Sequence, residues 1–575
     1  MSQDFKKVLV KDNRLMVTDS VKYAVVKGGS NMTCTRFPAI GSGPFTSNIN
    51  FNIQVPSQET VISRNALIEN TMVFSITGAT TASVTAASDA QTGLNWLFHY
   101  GGLDAFGPFP FHQCVNSTQW TINNNTVSQN TRDILAIICR IHDKRKLARY
   151  NGMAPTMFDT YQTYPVTTLG VLNAPNSSYQ YKSHDNDLAP RGSFICDSIV
   201  APGLANYLPA GTARTLTVTI TTTEPVLVSP WTFAGDDGQG MYGIQNLNAI
   251  YNLDQTANLA IRFGNAAARF AALPAVSLVQ ISSSTILFQF VTPHASDLMP
   301  SRNVLPYYEL PRYLTQVPVI TAGQTLTVVS QSLQLNQIPD KLFISIGKPV
   351  GQRVASDTDS WLPIKGISIN WNNSSGLLSS ATPQDLWRMS VENGMNQTWS
   401  EFRGVAQASP TVVAGVGATA TVNTAGSILC LEFGKDIELK DDYYAPGSLG
   451  NFQLQFNVQV LNNTGSATTA GQYQILTVIQ NSGVFSLERG VASSYLGILT
   501  KSDVLEASRT QGHSYSDALR MVGGGDVPSF QSRLPSSLGR LAASVKPMVA
   551  EGMSGGGSSG GRRKKDMGAL EDRLI

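Results

Sequence analysis

The side chains that most often carry catalysis or bind metals are few in this chain and poorly spaced for either task. The six histidines are scattered, at His99, His112, His142, His184, His294 and His513. None forms the His-x-His or His-Glu-x-x-His pattern that brings two imidazoles onto one metal ion. Metal centres of the cupin or zincin type are therefore not predicted.

Two acidic segments carry the oxygen ligands that a cation prefers. Residues His184 to Asp187 read His-Asp-Asn-Asp, and Asp236-Asp237-Gly238 resembles the start of a calcium loop. The remaining ligand spacing of a calcium loop is missing, and acceptor-rich sequences are common in surface turns. We interpret both segments as polar loops and predict no metal and no cofactor.

One string fits a known nucleophile motif, Gly552-Met553-Ser554-Gly555-Gly556. The motif Gly-x-Ser-x-Gly works on a strained turn between a strand and a helix, with triad residues nearby. Here it lies in a glycine-rich tail. No set of nucleophile, base and orienting group is legible elsewhere, so we predict that the protein is not an enzyme and has no catalytic residues.

Basic residues cluster twice. Lys144, Arg145, Lys146 and Arg149 end a predicted helix, where the helix dipole favours cations. A second cluster follows a Gly/Ser run near the C-terminus and comprises Arg562, Arg563, Lys564 and Lys565. Such tethered clusters bind phosphates by charge and without sequence preference. We predict that these four residues contact nucleic acid, and a solubilising tail is the alternative.

Length and composition indicate a folded protein with more than one domain. A chain of 575 residues is too long for a single hydrophobic core. Charged residues make up 14%, against roughly 25% in an average soluble domain. The cysteines show no paired spacing, which argues against a disulfide framework or zinc site and favours a reducing compartment. We expect no secretory signal and no transmembrane segment.

Most of the chain alternates apolar and polar residues with period two, which predicts β-strands. Examples are NINFNIQV at 48–55, TLTVTITTT at 215–223 and FQLQFNVQV at 452–460. Only the segments 131–150 and 382–394 have convincing helical patterns. Many short antiparallel strands with one helix per copy indicate a sandwich or jelly roll.

The two halves of the chain share collinear matches, which indicate an internal duplication. The matched pairs, in chain order, are Phe74-Ser75-Ile76 with Ile344-Ser345-Ile346, Ile122-Asn123 with Ile369-Asn370, Asn151-Gly152-Met153 with Asn393-Gly394-Met395, 247–252 with 456–461, and Ile286-Leu287 with Ile475-Leu476. We therefore predict an all-β protein of two tandem eight-stranded jelly rolls, with short inserted helices and a C-terminal tail.

The predicted boundaries follow from these patterns. Residues 1–45 form an N-terminal arm, 46–300 the first jelly roll and 316–490 the second. The segment LPYYELPRYL falls within 301–315, and its prolines predict a stiff, extended connector. Residues 491–575 form a C-terminal tail with a Gly/Ser run and the basic cluster.

Three segments carry a resemblance to a known family. They are LPYYELPRYL, QDLWRMSVENGM at 384–395 and DDYYAPGSLGNFQLQFNVQV at 441–460. The sequence resembles double jelly-roll major capsid proteins of the adenovirus-hexon-like lineage, of the type in Polinton-like viruses, adintoviruses and virophages. The likeness covers roughly residues 46–490.

The resemblance implies a viral capsid protein that self-assembles. It implies homotrimeric, pseudo-hexameric capsomers in an icosahedral virion shell around double-stranded DNA, with penton and minor capsid proteins as further partners. Two other classes stay open on sequence alone. They are a carbohydrate-binding or adhesive β-sandwich protein, and a glycan-processing hydrolase with paired carboxylates.

Overall fold

A computed structural model describes the chain over most of its length before residue 498. The main described stretches are 31–81, 104–141, 213–231, 240–255, 270–293, 300–352, 360–407, 421–439, 445–463, 471–488 and 490–497, with shorter pieces between them. The statements below concern these residues.

The first half of the chain folds into strands joined by two short helices. The elements are β1 (Asn31–Pro38), β2 (Asn48–Gln54), β3 (Val61–Ile62), β4 (Leu67–Gly78), β5 (Asp104–Phe106), α1 (Pro110–Gln113), β6 (Val115–Ile122), β7 (Asn125–Gln129), α2 (Thr131–Ile141), β8 (Arg214–Pro225), β9 (Asn246–Leu253), β10 (Ile261–Phe263) and β11 (Ala275–Thr292).

Two antiparallel sheets form the first jelly roll. One has the strand order β1-β11-β4-β8 and the other β2-β9-β6-β7. Alternate residues of β4 point inward and are buried, as expected for a strand with one face on a core. At the centre of the sandwich, Trp120 and Trp231 lie with ring centroids 4.5 Å apart. Phe51 and Tyr251 pack edge to face beside them.

The second half repeats this arrangement. Its elements are β12 (Arg302–Glu309), β13 (Arg312–Ile320), β14 (Thr325–Val329), β15 (Leu333–Gln337), β16 (Lys341–Gly347), a 3₁₀ turn (Val350–Gln352), β17 (Ile364–Trp371), β18 (Ser374–Leu377), α3 (Pro383–Glu392), α4 (Trp399–Phe402), β19 (Val405–Gln407), β20 (Thr411–Val413), β21 (Val416–Ala418), β22 (Thr421–Asn423), β23 (Ile428–Glu432), β24 (Leu449–Leu461), β25 (Gly471–Glu488) and β26 (Val491–Leu496).

The two halves have the same connectivity. In the second jelly roll, β13 and β25 lie beside β16 and β23 in one sheet, and β14 and β15 share β24 with β17 and β18 in the other. Each half has eight strands in its two main sheets when β14 and β15 count as one and when β3, β5, β10, β12, β19 to β22 and β26 are left out. Numbered one to eight in chain order, they run first, eighth, third, sixth in one sheet of each half, and second, seventh, fourth, fifth in the other. The predicted fold class, two tandem jelly rolls, is confirmed.

The duplication also holds at the level of single residues. Ile122 pairs with Leu247 in the first jelly roll, and the matched residues Ile369 and Phe456 pair in the second. The last match of the series is on the correct strand but wrong in register. Ser75 lies opposite Ser277 and its equivalent Ser345 lies opposite Leu476, so Leu476 corresponds to Ser277 and not to Leu287. The two β-bulges in β11 insert one residue each and do not account for a displacement of this length. The match rested on an Ile-Leu dipeptide, which is too short to fix the register of an 18-residue strand. The matched residues 151–153 lie outside the described residues.

The segment 301–315 differs from the predicted connector. It is extended, but β12 and β13 each pair antiparallel with β25 over successive parts of that strand. The 18-residue strand β25 is long enough to serve both. Pro306 is tolerated because β12 pairs with no other described strand, and prolines are found in edge strands.

The ends of the jelly rolls also lie outside the predicted boundaries. Strand β1 falls in the segment expected to be an N-terminal arm, yet it pairs with β11 along its length. Strand β26 falls in the segment expected to be a tail, yet it pairs with β25. Both segments had weak alternation in sequence, and hydrogen bonding to a long neighbouring strand orders them.

Candidate assembly surfaces

A third apolar cluster, distinct from the two sandwich cores, joins the two jelly rolls. From the first jelly roll it contains the buried face of α2, with Ile134, Ile137 and Ile138, and also Phe109 and Leu227. From the second it contains side chains on the outer face of one sheet, namely Phe343, Ile428, Cys430 and Val478. These strands are therefore buried on both faces, since their other side chains fill the second core.

Polar contacts surround this apolar junction and fix its geometry. The guanidinium of Arg140, near the end of α2, lies 4.9 Å from the centroid of the Trp361 ring. The backbone N–H of Asn396 donates to the carbonyl of Arg140 at 2.9 Å. Arg312 and Asp133 form an ion pair. These contacts fix the orientation of one jelly roll relative to the other within the chain.

The long strand β25 adds a second link. Its first part belongs to the second jelly roll, whereas its second part forms a three-stranded layer with β12 and β26. Leu305, Tyr307, Phe485 and Leu487 of this layer are buried in the core cluster of the first jelly roll. One strand is thus shared by both halves. The first jelly roll completes its core with residues of the second half, whereas the second core contains second-half residues alone among those described.

The opposite face of this layer is accessible and partly apolar. Val304, Val491 and Tyr495 are 42%, 62% and 48% exposed. They share one face because Val304, on β12, and Tyr495, on β26, alternate with inward residues along their strands.

Helix α3 protects the open edge of the second jelly roll. It begins at a capping box in which Thr382 and Asp385 exchange hydrogen bonds, followed by Pro383 at the first helical position. Its inward residue Ser390 accepts a hydrogen bond from the N–H of Cys430 at 3.0 Å. Asn393 donates to the carbonyl of Cys430 at 3.0 Å. An unpaired strand edge is thereby closed to further pairing at this point.

A buried pair of ionisable groups lies inside the first jelly roll. The Glu224 carboxylate accepts hydrogen bonds from the N–H groups of Phe111 and His112 at 2.8 and 3.2 Å and from the Thr222 hydroxyl at 3.0 Å. The His112 Nε2 lies 2.8 Å from the Pro225 carbonyl, which places the proton of the neutral ring on Nε2. The pair anchors α1 to the end of β8.

Burial dominates the titration of this pair. It raises the pKa of Glu224 to about 7, against the opposing hydrogen bonds from Phe111, Thr222 and His112. It lowers the pKa of His112 to about 4, against the opposing hydrogen bond to Pro225. The pattern of the sequence did not single out Glu224, because a carboxylate at the end of a strand carries no local sign that it will be buried.

The described structure does not show a cluster of the histidines, acidic segments and basic residues that the sequence analysis considered as possible catalytic, metal-binding or nucleic-acid-binding groups. His112 is described, whereas the segments 184–187, 236–238 and 144–146 and the cluster Arg562 to Lys565 lie outside the described residues. A small cleft beside the junction is lined by Arg132, Lys348 and Asp133 among others. The described residues contain no group of three potential metal ligands, at this cleft or elsewhere.

The described helices also lack what a bilayer would require. None of them combines the length and the apolar composition needed to cross a membrane.

Two jelly rolls in tandem, joined through a helix and a shared strand, define a double jelly-roll protein, a class with known capsid members. Comparison with protein families identifies the family within this class. Residues 3–291 match the family described as the Sputnik virophage major capsid protein first domain, and residues 310–483 match the major capsid protein V20 C-terminal domain. The chain belongs to the family of virophage major capsid proteins.

Individual relatives support the same family assignment. The putative capsid protein V20 of Sputnik virophage is 30% identical over 555 residues, which span 95% of this chain and 88% of the relative. A chain in the cryo-EM structure of the Sputnik virophage has a TM-score of 0.70 and 28% identity, covering 90% of this chain and 98% of that one.

The mavirus major capsid protein shares the fold, with a TM-score of 0.67 and 13% identity over 88% of this chain and 98% of that one. Members of the family are structural components of virion capsids and not enzymes, and this chain is a major capsid protein of virophage type.

Proposed function

We propose that three copies of this chain form a pseudo-hexameric capsomer and that these capsomers build an icosahedral shell around a double-stranded DNA genome. The observation that carries the proposal is the rigid pairing of two jelly rolls with the same connectivity in one chain. Three such chains around a threefold axis present six similar units at the rim, so one oligomer can contact neighbours in nearly hexagonal surroundings.

Family membership supports this reading over the carbohydrate-binding or adhesive protein that sequence left open. The relatives are capsid proteins by their descriptions, and the Sputnik structure in which a similar chain occurs is that of a virophage particle. Penton and minor capsid proteins belong to the proposal as further partners.

The proposal extends to the C-terminal segment. The last described strand, β26, ends at Leu496, and the segment 498–575 follows it in the sequence. We place this segment on the capsid interior, with Arg562, Arg563, Lys564 and Lys565 against packaged DNA through charge alone.

The oligomeric state tests the central step. Native mass spectrometry of the purified chain at micromolar concentration should give a trimer, and electron microscopy of concentrated protein should show capsomers with six-lobed outlines. A chain that remains monomeric at these concentrations would contradict the proposal.

A further inference from the structure

Inside one chain, the contact between the jelly rolls is directional. The first jelly roll contributes the helix that follows its fifth strand, α2, and the second contributes the outer face of the sheet β13-β25-β16-β23. The helix side of one unit thus meets the sheet side of the next. A contact of this heterologous kind leaves a free helix side and a free sheet side at the two ends.

The free sheet side is the outer face of the equivalent sheet in the first jelly roll. The register of its paired strands shows which residues correspond to those at the junction. In the second jelly roll, Phe343 of β16 lies opposite Cys430 and Val478. Ser75 is matched to Ser345, so Val73 is matched to Phe343, and Val73 lies opposite Thr219 and Gln280.

We call the surface formed by Val73, Thr217, Thr219 and Gln280 the threonine face. Its side chains are exposed or half-buried, whereas Phe343, Ile428, Cys430 and Val478 are fully buried. The outward residues of β8 on this face are threonines, and Thr71 and Thr221 share a hydrogen bond at 2.9 Å on the same face.

The free helix side belongs to α3. This helix follows the fifth strand of the second jelly roll, as α2 follows that of the first. Leu386 and Ser390 face inward, while Arg388, Val391 and Glu392 are 65%, 41% and 53% exposed on the outer side.

We propose that the outer side of α3 in one chain packs on the threonine face of a second copy, repeating between chains the contact that α2 makes within one chain. The inference rests on the proposed homotrimer and names the surfaces that form it. Repetition of a heterologous contact closes into a ring, and two jelly rolls per chain give a ring of six units from three chains.

The difference in chemistry between the two contacts supports this assignment. The contact within the chain forms during folding and has an apolar centre of large side chains. A contact between chains joins surfaces that were first in water, and such surfaces carry fewer large apolar side chains. Threonine meets this requirement because its methyl group packs while its hydroxyl remains hydrogen-bonded, to a neighbouring strand before assembly as Thr71 is to Thr221.

Charge substitution tests the two surfaces. The double variant Thr217→Arg/Thr219→Arg alters the threonine face, and Val391→Arg alters the outer side of α3. Thr327→Arg is the matched control, because Thr327 is an exposed strand threonine on β14, away from both surfaces. We expect monomers from the first two variants and trimers from the control, measured by native mass spectrometry with circular dichroism to verify folding.

The outcomes separate this inference from the proposed function. A wild-type chain that is monomeric contradicts the trimer itself. Wild-type trimers that persist in Thr217→Arg/Thr219→Arg and Val391→Arg leave the trimer standing and overturn the assignment of its surfaces. Loss of trimer in Thr327→Arg as well would show that the effect is not specific to these surfaces, and would also overturn the assignment.

Cross-linking provides a positive test that does not depend on disruption. Thr219→Cys and Val391→Cys would be combined in a Cys34→Ser/Cys196→Ser background, since Cys34 is the exposed thiol among the described cysteines and Cys196 lies outside the described residues. A short bismaleimide should then give covalent dimers and trimers on a denaturing gel, and a variant carrying only one of the two added cysteines should not. A trimer that yields no cross-links in the combined variant would contradict the proposed contact.

Discussion

The guanidinium of Arg140 lies 4.9 Å from the centroid of the Trp361 ring and thereby joins the first jelly roll to the second. Both side chains are only 5% exposed, so the cation faces the ring with little competing water. Cation–π contacts that are desolvated contribute about 2 kcal/mol. This contact is therefore part of what holds the two halves in one orientation.

Replacing Arg140 should loosen the junction. We expect Arg140→Met, which keeps an apolar stem, to lower the free energy of unfolding by about 2 kcal/mol in urea titrations. Arg36→Met is the control, because the Arg36–Glu69 pair is exposed and such pairs contribute less than about 1 kcal/mol. Equal losses in the two variants would contradict a special role for Arg140.

Removing the hydroxyl of Ser390 should expose the edge of β23. In Ser390→Ala, the buried N–H of Cys430 loses its acceptor, which costs about 1–3 kcal/mol. We expect faster hydrogen exchange at the Cys430 amide together with the lower stability. Gln384→Ala, on the exposed side of the same helix, should leave both measurements unchanged, and unaltered exchange at Cys430 in Ser390→Ala would speak against the edge-protection role.

The buried Glu224 should make stability depend on pH. Its pKa is raised from 4.5 to about 7 by burial. Stability from the protonated carboxyl is thus fully present below pH 4.5 and is lost as the pH rises through 7. Glu224→Gln stays neutral at every pH, so the melting temperature of the wild type relative to that of the variant should fall between pH 5 and 8.

His112 acts in the opposite direction. Its pKa is lowered from 6.5 to about 4, so the neutral ring stabilises the fold above pH 6.5 and this contribution is lost as the pH falls through 4. The control for Glu224→Gln is Glu69→Gln, an accessible carboxylate paired with Arg36. Because His112 is present in both proteins, its contribution cancels in the comparison of wild type with Glu224→Gln. A difference in melting temperature between these two proteins that is the same at pH 5 and at pH 8 would contradict the assignment for Glu224.

Truncation should distinguish strand from tail. A chain ending at Gly497 retains β26, and we expect it to fold and to melt as the full chain does. A chain ending at Gly490 loses β26, whose Ala492 and Leu496 pack against the first core. The shorter chain should melt several degrees lower, by scanning calorimetry. Equal melting temperatures would show that β26 adds nothing to the fold.

The basic cluster should bind DNA through charge. Replacing Arg562, Arg563, Lys564 and Lys565 by glutamine should weaken binding of a DNA duplex in proportion at every sequence tested, and should flatten the dependence of affinity on salt. Fluorescence anisotropy from 50 to 200 mM salt measures both. The trimer should be unaffected, and a variant with wild-type affinity would remove these residues from the proposed contact with the genome.

Much of the fold could be predicted from local patterns in the sequence. Period-two alternation predicted strands such as β2 and β24, because one face of each meets a core. The pattern of 382–394, with Thr382 as N-cap and Pro383 at the first helical position, predicted α3, since these signals are local to the first turn. The duplication was legible for the same reason: equivalent strands meet equivalent surroundings, and Ile122 and Ile369 kept their character.

What only the tertiary structure decided depends on contacts between distant parts of the chain. The prolines of LPYYELPRYL predicted a stiff, extended connector between the domains. In the structure, pairing with the long strand β25 makes this segment part of β12 and β13. Glu224 became a buried carboxylate because α1, more than a hundred residues earlier, presents its N–H groups there. The contact of α2 with the second jelly roll also joins distant parts of the chain, and local sequence patterns did not predict it. Alternation specifies which face of an element is apolar, but which partner covers that face is set only when the chain folds.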